Sequence, residues 1–100
     1  MRLKERVAIV TGAAQGIGAR YIKALAAEGA KTVIVDIEDC ENTKNLVHQE
    51  IPNATLATQI CDVSDETSVQ NLNDTTVQKF GRIDILINNA AVFASLDRKP

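Results

Sequence analysis

Val7-Ala8-Ile9-Val10-Thr11-Gly12-Ala13-Ala14-Gln15-Gly16-Ile17-Gly18 is the stretch that decides the fold. Residues 7–10 are a continuous apolar run rich in β-branched side chains, which is how a strand buried on both faces reads. Residues 11–18 are glycine-rich. From Ile17 onward the period changes: Ile17, Tyr21 and Leu25 recur every fourth residue with Ala24 beside them. That spacing predicts a helix packed on the sheet through Tyr21 and closed by Gly29.

Working outward, Thr32-Val33-Ile34-Val35-Asp36 reads as a second buried strand. Cys40, Val47 and Ile51 share a helical spacing that Pro52 stops. This helix is weakly specified, because Asn42, Thr43, Asn45 and His48 are mediocre helix formers. Residues 54–60 predict a third strand. Ser64 or Asp65 can cap a third helix whose apolar face is Val69, Leu72, Val77 and Phe80, with Gly81 as terminator. Ile83-Asp84-Ile85-Leu86-Ile87 predicts a fourth strand, ending in Asn88-Asn89-Ala90-Ala91, and residues 92–100 show no clear period. The order is βαβαβαβ. Strands separated by helices of this length pair in parallel through right-handed crossovers. The fold class is therefore α/β, a Rossmann-type doubly wound parallel sheet of which only the first βαβαβαβ part is present.

Composition removes several function classes. The 100 residues carry 11 Lys and Arg against 13 Asp and Glu, and that scattered, slightly acidic balance argues against nucleic acid as a partner. Tyr21, Phe80 and Phe93 are the only aromatic residues, too few for a base-stacking platform. No apolar run approaches the roughly 20 residues that span a bilayer, so no membrane partner is expected. The charged start Met1-Arg2-Leu3-Lys4-Glu5-Arg6 leads straight into the first strand and does not read as a signal peptide. Cys40 and Cys61 form no CxxC, which favours a reduced, cytoplasmic setting over a disulfide scaffold. His48, the single histidine, reads as solvated surface, and no His and Cys cluster has metal-ligand spacing.

The glycine loop lies after a strand and before a helix, the context in which such a loop binds a pyrophosphate. Gly12 suits a tight turn, Gly16 lets the backbone approach a phosphate, and Gly18 lets the helix pack close to the strand. Amides of the first helical turn would then face the phosphates, aided by the helix dipole. A purely structural turn is the alternative; a Walker A loop is excluded, since no Gly-Lys-Ser or Gly-Lys-Thr follows. Asp36 ends the second strand, 18 residues beyond Gly18. A carboxylate there can accept the 2′- and 3′-hydroxyls of an adenosine ribose and would repel a 2′-phosphate. With Ile37 next to it and Gln15 in the loop, no guanidinium is offered to such a phosphate, so NAD is expected over NADP. Asp36 could otherwise be a cap. Asp62 could accept the adenine amine while the Val63 N–H faces the ring, or Asp62 could be a turn residue. Asn88 and Asn89 could bridge neighbouring loops and the ribose, or form a plain turn.

Taken together, Thr11-Gly12-Ala13-Ala14-Gln15-Gly16-Ile17-Gly18, Asp62-Val63 and Asn88-Asn89-Ala90-Ala91 resemble the TGxxxGxG loop, adenine pair and NNAG motif of the classical short-chain dehydrogenase/reductase family. The resemblance covers essentially the whole chain. It implies an NAD(P)-binding domain and hydride transfer between an alcohol or carbonyl substrate and the dinucleotide. It implies that Thr11 ties its loop to the Asn88-Asn89 segment. Asn88 would be structural, and Asn89 and Ala90 would border the cofactor ribose, with Ala91 next to them. Ala91 departs from the family's glycine. The family's catalytic Ser and Tyr-x-x-x-Lys lie beyond residue 100: Tyr21 is the only tyrosine, and Leu25 stands where the lysine would be.

Residues 1–100 are accordingly read as the N-terminal part of a single domain expected to continue to about 250 residues. The parent would be an NAD-dependent oxidoreductase, commonly a homodimer or homotetramer in this family, while the 100-residue chain alone would be inactive. A non-catalytic nucleotide-binding or interaction module is the second reading. A methyltransferase-like domain is the third, disfavoured by Gly16-Ile17-Gly18 followed by Asn88-Asn89. The fourth strand would leave an exposed apolar edge near Ile83, Ile85 and Ile87, so the isolated chain is expected to be poorly soluble or molten.

Overall fold

The computed structural model describes residues 3–13 and 16–88, with the side chain of Ile17 outside that description. Its elements are β1 (Val7–Thr11), α1 (Gly16–Ala27), β2 (Lys31–Asp36), α2 (Glu41–Glu50), β3 (Leu56–Ile60), α3 (Glu66–Phe80) and β4 (Ile85–Asn88). All strand pairs are parallel, and the sheet order is β3-β2-β1-β4. This is the expected partial Rossmann sheet. The order turns at β1, which pairs with β2 on one edge and β4 on the other.

Every residue of β1 is buried. Alternate residues therefore feed two cores. On one face Val10 and Ile34 meet Ile22 and Ala26 of α1 and Cys40 and Val47 around α2. On the other, Ile9, Val33 and Val35 meet Leu72 of α3 and Cys61, with Val63, Val69 and Phe80 at the margin. Asp65 caps α3 by accepting the Thr67 N–H at 3.0 Å, and Gly81 closes it in the left-handed region at φ 86°. Among the described residues no helix is long and apolar enough to cross a membrane.

Four side chains depart from the sequence reading. Tyr21 does not pack on the sheet: it is 42% exposed, and Ile22 and Ala26 are buried instead. The sheet-facing row of α1 is Gly18, Ile22 and Ala26, one residue on from the larger residues that suggested Tyr21. On α3, Val77 is 48% exposed and Thr76 is buried in its place. The Thr76 hydroxyl donates to the Leu72 carbonyl at 2.8 Å, which removes the cost of burying it. His48 is half-buried, and its Nε2 lies 3.0 Å from the Ala54 carbonyl, joining α2 to the turn before β3. Along β4 the most exposed large side chain is Leu86 at 61%, while Ile85 and Ile87 are partly covered.

β4 begins at Ile85 because Asp84 is used elsewhere. Its N–H donates to the Val7 carbonyl and its Oδ2 accepts the Val7 N–H, each at 2.9 Å. Arg82 donates to Oδ1 through Nε at 3.0 Å and through a terminal nitrogen at 2.7 Å, and Arg6 reaches the same oxygen at 3.4 Å. The Arg82 hydrogen bonds, then the Val7 amide, hold the carboxyl below its ordinary value of 3.8. Its stabilisation is therefore complete above that value and is lost as pH falls through the lowered one. Asp84→Asn is expected to lower the melting temperature at neutral pH, and the gap from the wild type should close below about pH 4. Thermal melts across that range check this; a gap independent of pH would show that the charge is not what matters.

Candidate dinucleotide site

The described candidate residues lie along the carboxyl edge of the sheet, where ligands bind in open α/β folds. Thr11 ends β1 and is paired in register with Asn88, the last residue of β4. The Thr11 hydroxyl donates to Asn88 Oδ1 at 2.9 Å and lies 3.4 Å from the Ile87 carbonyl. The two strands are thereby tied at the point where the sheet order turns.

Gly12 takes φ 67°, a left-handed conformation that glycine adopts without steric cost. Ala13 follows, fully buried, with its N–H donating to the Val35 carbonyl of β2 at 3.0 Å. A Cβ on Gly18 would stand 2.6 Å from Ala13 Cα and 2.8 Å from the Gly12 carbonyl oxygen. Both neighbours are backbone, so the close approach of α1 to the loop requires glycine. The helix begins at Gly16, and its amino end adjoins the carboxyl end of β1. Unsatisfied amides and the positive end of the helix dipole therefore meet at this edge. These features fit a dinucleotide cradle: a tight first turn, a helix start beside it, and a glycine where a side chain has no room.

Asp36 is the last residue of β2, half-buried, with Oδ1 accepting the Glu38 N–H at 3.0 Å. Ile37 beside it is 64% exposed. The Asp36 carbonyl accepts the Cys61 N–H at 2.9 Å, which brings Asp62 and Val63 alongside the end of β2. Asp62 Oδ1 accepts the Ser64 hydroxyl at 2.6 Å and the Ser64 N–H at 3.0 Å. These two bonds hold the Asp62 carboxyl below its ordinary value, so it is ionised at neutral pH. The Ser68 hydroxyl accepts the Asp62 N–H at 3.1 Å, fixing the backbone behind it.

The model of the family described as short chain dehydrogenase matches residues 6–99. The chain belongs to this family. It is 40% identical over 97 residues to short chain aldehyde dehydrogenase 1 of Euphorbia lathyris, covering 96% of this chain and 33% of that protein. The fold superposes on levodione reductase with a TM-score of 0.81 at 39% identity, over 85% of this chain and 34% of that one. It superposes on NAD+-bound xylitol dehydrogenase with a TM-score of 0.79 at 30% identity, over 86% of this chain and 33% of that one. The chain thus spans about a third of the length of the relatives it matches.

Within the family frame, the structure brings Thr11, Gly12, Gly18 and Asn88 into one corner and sets Asp36, Ile37, Asp62 and Val63 along the adjoining edge. Gly16 starts α1. Gln15, Asn89, Ala90 and Ala91 lie outside the described residues, as does the side chain of Ile17. Three supports escaped the sequence reading. The Ser64 hydroxyl on Asp62 was legible from the two-residue spacing of an Asx-type turn. Ser68 was not, since it sits a helical turn away. Thr43, buried on α2, donates to the Ala13 carbonyl at 3.1 Å, and nothing in its own neighbourhood signals that partner.

Cys40 and Cys61 are both buried free thiols. Burial, followed by the carboxylates of Asp36, Asp39, Glu41 and Glu38, pushes the Cys40 thiol up to about 11. It stays protonated at neutral pH and is a packing residue, not a nucleophile. Among the described residues no group of His, Cys, Asp or Glu could hold a metal ion.

Gly18→Ala is expected to cost about 1–3 kcal/mol, because backbone must move to admit the methyl group. Urea unfolding of the purified protein measures this; an unchanged midpoint would show that the loop yields freely.

Proposed function

We propose that the protein is an oxidoreductase that moves a hydride between an alcohol or carbonyl substrate and a nicotinamide dinucleotide, with NAD preferred. This chain would supply the dinucleotide-binding part of a domain that continues to about 250 residues. The observation that carries the reading is the corner formed by Thr11, Gly12, Gly18 and Asn88 at the turn of the sheet order. Similarity to a levodione reductase and a xylitol dehydrogenase supports a small alcohol or carbonyl substrate.

When bound, the nicotinamide ring gives or takes the hydride. The chain's own residues bind and orient. The amides at the start of α1 would hold the pyrophosphate, and Gly12, Gln15, Gly16, Ile17 and Gly18 are the residues assigned to that cradle. The Asp36 carboxylate would accept the adenosine ribose hydroxyls, with Ile37 next to it. Asp62, ionised and held by Ser64, would accept the adenine amine, and Val63 would offer its N–H to the ring. Thr11 and Asn88 hold β1 against β4, and by the family resemblance Asn89, Ala90 and Ala91 would be the residues next to the ribose. The substrate-orienting Ser and the Tyr-x-x-x-Lys whose Tyr would move the proton are expected beyond residue 100, so residues 1–100 alone would bind the adenosine half at best and not turn over substrate.

Charge sets the cofactor preference. A 2′-phosphate about 4 Å from Asp36 meets a repulsion of about 4 kcal/mol per unit charge at an effective dielectric of about 20, less where water screens it. With the whole protein and a panel of secondary alcohols, NAD should give turnover and NADP much less. Asp36→Asn is expected to reduce the NAD-over-NADP ratio of kcat/KM at least about tenfold, equivalent to about 1.4 kcal/mol. NADP turnover equal to that of NAD in the wild type would overturn the preference. Absence of binding to either dinucleotide would overturn the function.

A further inference from the structure

Thr43 is a hydroxyl in an apolar place. It lies on the buried side of α2 between Cys40 and Val47, where a valine would fill the same volume. Burying an unpaired hydroxyl is costly, so its partner is informative. Thr76, the other buried threonine in a helix among the described residues, bonds to the carbonyl four residues earlier in its own helix. Thr43 instead reaches across 30 residues of chain to the Ala13 carbonyl, at 3.1 Å.

That carbonyl belongs to the residue on which the glycine loop hangs. The Ala13 N–H is held by Val35 of β2, the residue immediately before Asp36. The Ala13 Cα lies where α1 passes close enough to require Gly18. Thr43 supplies the third hold, from α2. A peptide unit is planar, so a hydrogen bond to the Ala13 carbonyl restrains rotation about the Cα–C bond of Ala13. We infer that Thr43 is a positioning residue for pyrophosphate binding: its hydroxyl, held to the Ala13 carbonyl, sets the aim of the glycine loop. The role rests on the dinucleotide reading above. It gives α2, which contributes no proposed contact to the nucleotide, a defined part in binding it.

The role separates two ligands. ADP-ribose carries the pyrophosphate that the loop would meet; adenosine meets only the ribose and adenine contacts at Asp36, Asp62 and Val63. In the whole protein, Thr43→Val keeps the volume and removes the donor to the Ala13 carbonyl. It is expected to weaken ADP-ribose about tenfold while adenosine changes by less than about twofold. Thr43→Ser, which keeps the hydroxyl, should stay within about threefold of the wild type for both ligands. Should Thr43→Val fail to fold, as judged by circular dichroism, Thr43→Cys takes its place. The thiol is similar in size and a weak donor, and the same selective loss is expected in smaller degree. Equal weakening of both ligands, ADP-ribose binding unchanged by the substitution that folds, or a serine variant no better than it would each overturn the role. A wild-type protein that binds neither ligand would overturn the dinucleotide reading, and this role with it; the other outcomes overturn the role alone.

Discussion

Complete enclosure of β1 is the constraint on which the rest of the molecule depends. A strand paired on both edges and covered on both faces has no side from which water can satisfy its backbone. Its amides and carbonyls must therefore find partners in β2 and β4, and its side chains must be apolar or, like Thr11, hydrogen-bonded. Helices are then required on both faces, and the right-handed crossovers put α1 and α2 on one and α3 on the other. Leaving this strand, the chain must turn sharply at its carboxyl end, which is where Gly12 takes its positive φ. The candidate site is thus a by-product of burying β1: the turn, the helix start and the neighbouring strand ends are forced together.

Strand positions and topology were legible in the sequence because enclosure leaves a plain signature, an unbroken apolar run in residues 7–10 and again in 33–35. Helix faces were read less well, for a geometric reason. In α1 two adjacent rows carry apolar residues, and the larger ones, Tyr21 and Leu25, dominate any count of hydrophobicity. The close approach at Gly18 favours the slimmer row through Ile22 and Ala26. In α3 a threonine conceals its polarity by bonding within its own helix, so Thr76 can occupy a core position that Val77 was expected to fill. Size and polarity are poor guides wherever backbone supplies either the steric limit or the hydrogen-bond partner.

The same distinction runs through the site. Glycines and acids at strand ends announce themselves, because their spacing from one strand to the next is short and their chemistry is their own. The second layer of support does not. Thr43 and His48 both bond to backbone carbonyls, of Ala13 and Ala54, and a carbonyl leaves no mark in a sequence. Asp84 is the intermediate case. An acid set among isoleucines is conspicuous, but its use, receiving the first amide of β1 from 77 residues away, depends on the sheet order.

That separation has a consequence for how the protein comes into being. The Thr11 hydroxyl and its Asn88 partner are also 77 residues apart, so neither end of the β1–β4 ladder can close until most of this chain has been made. At ribosomal rates of about 5–20 residues per second, the open edge of β1 waits roughly 4–15 seconds. β2 arrives far sooner, and with it the Val35 carbonyl that receives Ala13. The partners of the candidate corner are therefore synthesised in two instalments: those from β2 and α2 come first, and the strand that completes it comes last. During that interval a nascent chain displays an apolar edge with unpaired amides, the kind of surface that chaperones recognise.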